Sequence, residues 1–581
     1  MYGIRPLPVV CSTSLALTLL ACVTSPTPTV DPASLITRAE RSGYRETSRY
    51  DEVVRFMEAV APASPRLQLT TFGYTYEGRP LPMMVFGDLA DASPEAVLAT
   101  GKTRIWIQGN IHAGEVCGKE AMLVLLRDLA QGEHADWADS LVLLIAPIYN
   151  ADGNERVRIH NRGLQNGPIG GMGQRPNAQG YDLNRDHMKL DSPEARSLVQ
   201  MMRRYDPHLV VDLHTTDGSR HAYHVTYSPP LNPNTYSGID NYLRQQWLPA
   251  VTRAIKEKHG WDYYFYGNAV GPTSSGFGGG RGGGALATGG GRGGGGRGGA
   301  RAARRGGIGG PGAAFGNRSE AREPGWYTFD HRPRFNNNYV GLRNRFAILS
   351  EAYAYASFEE RILASLYFVE EIVNYASDHS DKIRQIVEEA DAHSVVGETM
   401  AVRAVPHRSD QQVEILMGEV ERLVNPYSGR PILNRLDVTH PQMMYEYGTF
   451  EASASERAPA AYLVPGDLRA VIDKLEAHGV ALESLEENTS MMVEQFVISS
   501  SRTADRPFQG HNERTLEGSW EAAEKTVPAG TKVIGVDQPL GRLVFYLLEP
   551  RSDDGLVDWN ILDPSLGGNK FYPILRTMGE F

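Results

Sequence analysis

The segment Gly109-Asn110-Ile111-His112-Ala113-Gly114-Glu115 sets an imidazole and a carboxylate three residues apart. An alternating stretch from Arg104 to Gln108 runs into it as a strand would, and an apolar pattern of helical period leaves it. Asp212-Leu213-His214 brings a second imidazole to the end of a later apolar run, beside Thr215, Thr216 and Asp217. Two imidazoles and one carboxylate form the donor set of a catalytic zinc site, with a fourth position left open for water. A lone histidine is most often a surface or packing residue. Here both sit where buried strands end, and one has an acid a turn away. Asp182-Leu183-Asn184-Arg185 adds an amide and a guanidinium between the two halves, and Glu351 follows directly on Phe346-Ala347-Ile348-Leu349-Ser350. Apolar neighbours would raise the pKa of Glu351 and a nearby metal would lower it, a balance that suits a group taking up and releasing a proton. The chemistry open to this set is hydrolysis of a peptide or amide bond close to a free carboxylate.

The elements that must position these groups alternate along the chain. Helical period marks Gly114 to Ala130, Pro193 to Tyr205, Ile239 to His259 and Ser357 to Ala376. Ser140 to Pro147 and His208 to Leu213 are apolar runs of buried-strand type, and Phe346 to Tyr355 is a further strand. This alternation predicts an α/β domain with a mixed, mostly parallel central sheet flanked by helices and with the site at strand ends. From Asp391 the pattern changes to short alternating runs, Gln412 to Met417 and Thr531 to Val536, with a helix from Leu468 to His478 and a strand from Arg542 to Glu549 before the turn at Arg551-Ser552-Asp553-Asp554-Gly555. A smaller α+β or β-sandwich-like C-terminal domain, capping the first or narrowing access to it, is the expectation.

A chain of 581 residues exceeds one hydrophobic core, and a net charge of -11 with no broad basic face argues against nucleic acid as a partner. The N-terminus has Arg5, then an apolar stretch through Leu20 that is too short to span a bilayer and ends at Ala21-Cys22, as an export signal does. Leu19-Leu20-Ala21-Cys22 resembles a bacterial lipobox, with Cys22 as lipid anchor and Thr24 to Pro32 as a tether; an ordinary signal peptide cut nearby is the alternative. Of three cysteines, Cys117 alone would remain in the folded body, so no intrachain disulfide is expected and Cys117 should pack as a small buried residue. Between Gly276 and Gly310, 20 of 35 residues are glycine and six are arginine, a composition that cannot offset its ordering entropy. It is expected to be a disordered surface loop, tolerated or touching anionic lipid or peptidoglycan. The resulting layout is a signal over 1–22, a linker over 23–40, a catalytic domain over 41–390 with the insert at 276–318, and an accessory domain over 391–581.

Five motifs, in order, resemble the M14 zinc carboxypeptidase family over roughly residues 40 to 375. They are the His112 segment, Tyr149-Asn150-Ala151-Asp152-Gly153 (with Ala151 where the family has proline), Gly180-Tyr181-Asp182-Leu183-Asn184-Arg185, Leu213-His214 and Leu349-Ser350-Glu351-Ala352-Tyr353. The resemblance implies a bacterial member with a C-terminal accessory domain that binds one zinc through His112, Glu115 and His214. It implies that Glu351 is the general base and that Asp182 bonds the free nitrogen of His112. Asn184 and Arg185 would bind the substrate's terminal carboxylate, and Arg162 would stabilise the oxyanion, with Arg156 and Arg158 as rivals. Tyr327 and Tyr339 compete as the family's mobile tyrosine, and Phe335, Asn336, Asn337 and Asn338 as lining of the side-chain pocket.

The expected activity is removal of C-terminal residues from peptides in the cell envelope, in the periplasm or at the outer membrane. A peptidoglycan peptide amidase or amide deacylase of the same family is the alternative, and a zinc-free envelope binding module a third reading. Oligomeric state and side-chain preference are not legible.

Overall fold

The computed structural model describes residues 31–216, 218–270 and 323–579. The export signal, Cys22, Asp217 and the Gly/Arg-rich insert lie outside the described residues. The central sheet has eight strands: β1 (Leu67–Tyr74), β2 (Pro80–Phe86), β3 (Thr103–Gly109), β4 (Leu141–Ala146), β5 (Leu209–Thr216), β6 (Val225–Ser228), β7 (Tyr263–Phe265) and β8 (Phe346–Tyr353). Their order across the sheet is β1-β2-β4-β3-β5-β8-β6-β7. β4, β3, β5 and β8 run parallel, as do β6 and β7, while β1, β2 and the β8–β6 pair are antiparallel. β3, β4 and β5 are buried along their whole length, which is why their sequences carry almost no polar-out alternation.

Helices close both faces. α1 (Cys117–Ala130) leans on β3 and β5 and packs against α3 (Phe358–Asp378), while α2 (Pro193–Tyr205) covers β1. α2 begins where the sequence signals it: Ser192 caps the Ala195 amide and Pro193 occupies the first turn. The expected helix from Ile239 to His259 spans Ser237–Tyr242, a π-helical turn Leu243–Trp247 and Leu248–His259. The widened turn precedes Pro249, which has no N–H to give and crowds the preceding carbonyls.

Register across the sheet brings the chemistry together. Glu351 on β8 is opposite His214 on β5, and Leu213 on β5 is opposite Gly109 at the end of β3. His214 and Glu351 therefore share one face at adjacent strand ends, and β3 releases the His112 segment beside them.

The C-terminal region is β-rich and smaller. It holds a six-stranded antiparallel sheet that includes the long hairpin of β11 (Thr489–Thr503) and β12 (Arg514–Val527). A second hairpin, β9 (Gln412–Val424) and β10 (Pro431–Tyr447), continues in parallel onto the short strand Gly325–Tyr327 that precedes β8. It also reaches the site loops: Leu433 N–H donates to Leu164 O at 3.1 Å, Gly418 N–H to Arg220 O at 2.9 Å and Arg435 N–H to Tyr355 O at 2.7 Å. Arg334, 2% exposed at its side chain, donates to Asp554, Asp558 and Glu513 across the same junction.

Arg542 to Glu549 is not a strand; Gly541–Leu548 forms α4, buried on every side. A short run that is apolar all round carries no period, so neither helix nor strand can be read from it. Among the described residues, no helix is long and apolar enough to cross a membrane.

Candidate metal centre

The turn after β3 aims His112 and Glu115. Gly109 has no room for a side chain, since a Cβ there would lie 2.9 Å from both Lys119 N and Pro147 O. Asn110 takes φ 70°, a left-handed conformation that asparagine tolerates better than most residues, and so turns the chain sharply out of the sheet. A turn closed by Glu115 N–H donating to His112 O at 2.8 Å then puts both side chains on one side.

His112, Glu115 and His214 meet. Their ligand atoms all lie within 4.8 Å of one another, and they form the single such group of histidine, cysteine and acid side chains among the described residues. His112 Nδ1 is 3.0 Å from Glu115 Oε1, His214 Nδ1 is 2.9 Å from Glu115 Oε2, and the two Nδ1 atoms are 3.2 Å apart. All three residues are at most 3% exposed. Two imidazole nitrogens and one carboxylate suit zinc, whereas calcium or magnesium would call for oxygen throughout.

Each imidazole has a carboxylate behind it. His112 Nε2 lies 3.0 Å from Asp182 Oδ1. His214 Nε2 lies 3.0 Å from Asp212 Oδ2, at ion-pair distance but outside hydrogen-bond geometry. Asp212 and His214 are two residues apart on β5, so period-two alternation puts them on one face; that was the available signal. Such carboxylates fix which nitrogen faces the metal and make the ring a stronger ligand.

The electrostatics favour a cation. Burial pushes Glu115 up, but the charges of His112 and Arg162 outweigh it and hold the carboxyl well below the usual range. Burial pushes His214 down, yet Asp212 and Glu115 lift it well above the ordinary imidazole value. A field that retains a proton there also attracts a metal ion, and the two compete.

Two arginines border the ligands. Arg162, in a left-handed conformation at φ 56°, donates through Nη2 to Glu115 Oε1 at 2.5 Å and to Thr215 O at 3.3 Å. Arg175, which the sequence reading passed over, lies with Nη1 3.6 Å from the same oxygen and donates through Nε to Asp182 Oδ2 at 2.9 Å. A loop arginine has no periodic signature, so only its closeness to Asp182 in sequence could have drawn notice. Arg156, one of the expected rivals, instead bonds Glu77 at 2.7 Å.

Asn184 and Arg185 occupy a short turn, Leu183–Arg185, held by Asp182 Oδ1 accepting from Asn184 N–H at 3.0 Å. The Arg185 guanidinium lies 3.8 Å over the Phe335 ring and donates to Asn184 O at 2.6 Å. Burial lowers its pKa to about 10, with Asp182 pulling the other way. Asn184 Oδ1 accepts from Asn336 N–H at 2.8 Å. Phe335 and Asn336 thus brace the Asn184–Arg185 pair, while Asn337 and Asn338 bond Pro229 O and Asp330 O. Tyr327 stacks on Tyr447 at 4.0 Å, and Tyr339 is fully buried with its hydroxyl 2.8 Å from His478 Nδ1. Each of the two tyrosines is pinned to the C-terminal region. Cys117 is free and buried, with Sγ 3.1 Å from Thr215 Oγ1.

Residues 53–274 match the Peptidase_M14 family model, zinc carboxypeptidase. Carboxypeptidase 2 of Trichophyton tonsurans is 24% identical over 523 residues, spanning 86% of this chain and 81% of that protein. Carboxypeptidase D of Homo sapiens is 32% identical over 178 residues, 25% of this chain and 13% of its own length. Among solved structures, a metallo-carboxypeptidase from Burkholderia cenocepacia aligns with a TM-score of 0.36 at 15% identity, over 57% of this chain and 70% of that one. His112, Glu115 and His214 are the His/Glu/His triad characteristic of M14 zinc carboxypeptidases, and they make one zinc site per chain.

Proposed function

We propose that this chain is a zinc-dependent metallocarboxypeptidase that hydrolyses the last peptide bond of a peptide with a free terminal carboxylate. The observation that carries the reading is the convergence of His112 Nδ1, Glu115 and His214 Nδ1 at strand ends, each histidine backed by an aspartate. His112, Glu115 and His214 would hold the zinc, which when bound would supply a Lewis acid for the scissile carbonyl and lower the pKa of water toward neutral.

The roles proposed for the side chains follow from what each can hold. Arg185, stacked on Phe335, offers a planar fork to the terminal carboxylate, and Asn184, its Oδ1 taken by Asn336 N–H, adds its amide N–H. Glu351, on the same face as His214 one strand away, takes the proton from the attacking water. It then delivers that proton to the amine nitrogen as the carbon–nitrogen bond breaks. Arg162 is the proposed partner of the developing oxyanion, and Arg175 shares that position beside Glu115. Asp182 and Asp212 orient the two imidazoles.

The compartment is inferred from the N-terminal sequence. The apolar run ending at Ala21-Cys22 supports export to the cell envelope and lipid attachment at Cys22, with residues 41–390 as the catalytic domain and 391–581 as its accessory partner.

The test is hydrolysis of an N-blocked dipeptide and of its C-terminal amide by the purified protein, with and without a chelator. Cleavage of the acid that the chelator abolishes, with the amide spared, is expected. Equal cleavage of acid and amide would remove the carboxypeptidase reading, and release of fragments from muropeptides alone would favour an amidase.

A further inference from the structure

Asp182 is held by a residue far away in the chain. Its side chain is fully engaged at the site: Oδ1 faces His112 Nε2 and accepts from Asn184 N–H, and Oδ2 accepts from Arg175 Nε. The surrounding turn satisfies its own neighbours, with Tyr181 N–H donating to Asn177 Oδ1 and Arg185 N–H to Asp182 O. The Asp182 N–H instead donates to Gln509 Oε1 at 2.8 Å. Gln509 stands 327 positions later, in the turn between β11 and β12.

That turn is built to present Gln509. The residue takes φ 50°, a left-handed conformation that a glutamine rarely adopts and that persists only where its surroundings enforce it. Phe508 and His511 close the turn by exchanging backbone hydrogen bonds of 2.7 and 3.0 Å. His511 bridges Asp191 Oδ2 and Asn560 Oδ1, both at 2.6 Å. Gly510 lies beside the Tyr181 ring, where a Cβ would come within 3.3 Å. The turn therefore grips the segment from Tyr181 to Asp191 at both ends, with Gln509 at one and His511 at the other.

We propose that Gln509 is a positioning residue of the metal centre, supplied by the C-terminal region, and that it keeps Asp182 aligned on His112. It touches neither substrate nor metal. The inference rests on His112 being a zinc ligand backed by Asp182, and it makes the C-terminal region part of the machinery rather than only a cover. A buried N–H that loses its acceptor drives its residue to shift, and a displaced partner behind a histidine ligand weakens metal affinity about 10- to 100-fold.

The experiment uses the full chain with three substitutions: Gln509→Ala, Gln509→Glu, and Asp505→Ala at an exposed position of the same turn. Zinc affinity is read by competition with a coloured chelator, and amide hydrogen exchange of residues 180–186 is followed in the zinc-stripped protein. In Gln509→Ala, zinc affinity should fall about 10-fold, exchange across 180–186 should quicken, and kcat should drop with KM changed less than about twofold. Gln509→Glu keeps an acceptor oxygen at the same reach and should restore most of the affinity, and Asp505→Ala should match the wild type. Gln509→Ala with wild-type exchange and zinc affinity, whatever its melting temperature, would overturn the proposal. The exchange readout needs no zinc, so it judges Gln509 separately; a wild-type protein that binds no zinc would refute the proposed function instead.

Discussion

Replacing Arg185 by alanine should abolish the preference for a free carboxylate while leaving the hydrolytic centre in place. Arg185 is only 5% exposed, its guanidinium fixed over Phe335 and tied by one N–H to Asn184 O, so its remaining donors are already oriented. Burial brings its pKa down to about 10, which still leaves it charged at neutral pH. Charge-assisted hydrogen bonds contribute about 1.5 to 3 kcal/mol each. Two of them to a carboxylate come to about 3 to 6 kcal/mol, or roughly 10²- to 10⁴-fold in kcat/KM. Asn184 keeps one donor for the same carboxylate, so the lower half of that range is expected. The assay compares kcat/KM on a blocked dipeptide acid and on its amide, for wild type, Arg185→Ala and Arg185→Lys, with zinc content measured on each. The acid-to-amide ratio should collapse toward one in the alanine variant through loss on the acid alone. Lysine keeps the charge but not the fork and should fall between. A preserved ratio, or an equal loss on acid and amide, would refute the role given to Arg185.

Glu351→Gln should lower kcat by about 10²- to 10⁴-fold with zinc content unchanged, measured by steady-state kinetics and elemental analysis. Asp212→Asn should weaken zinc by about 10- to 100-fold, as Asp182→Asn should, because each leaves one imidazole without its carboxylate; chelator titration decides. For pH, burial lowers His214 but Asp212 and Glu115 raise it above its ordinary value. In the zinc-stripped protein its charge therefore supports folding below about pH 6.5, and that support is lost as pH rises through the raised value. Zinc needs the neutral ring, so its affinity should tighten as pH rises. Melting of stripped wild type against His214→Gln, alongside zinc titrations across the same pH series, checks both signs. Arg334→Ala strands Asp554 and Asp558 in the interior and should destabilise the fold by about 3 to 5 kcal/mol, read from denaturant unfolding.

What the sequence made legible follows the range over which its signals act. His112, Glu115 and the helix behind them declare themselves through local spacing, and His214 through the buried strand that carries it. Asp212 was equally local, on the same face of β5 as His214, but an acid inside an apolar run passes for an exception until its partner is seen. Arg175 and the bracing of Arg185 by Phe335 depend on loops, whose course no periodicity encodes. α4 carries no helical signature because Leu543-Val544-Phe545-Tyr546-Leu547-Leu548 is apolar in every direction. The contact of Gln509 with Asp182 joins residues 327 positions apart, one in the turn after Gly180 and the other in the β11–β12 turn, so no local pattern announces it.

Zinc K-edge absorption on the purified full-length protein tests the central claim most directly. One zinc per chain bound by two imidazoles and a carboxylate, with one imidazole lost in His214→Ala, is the predicted result. Full hydrolysis of the dipeptide acid by protein free of metal, or a coordination shell unchanged by His214→Ala, would contradict it.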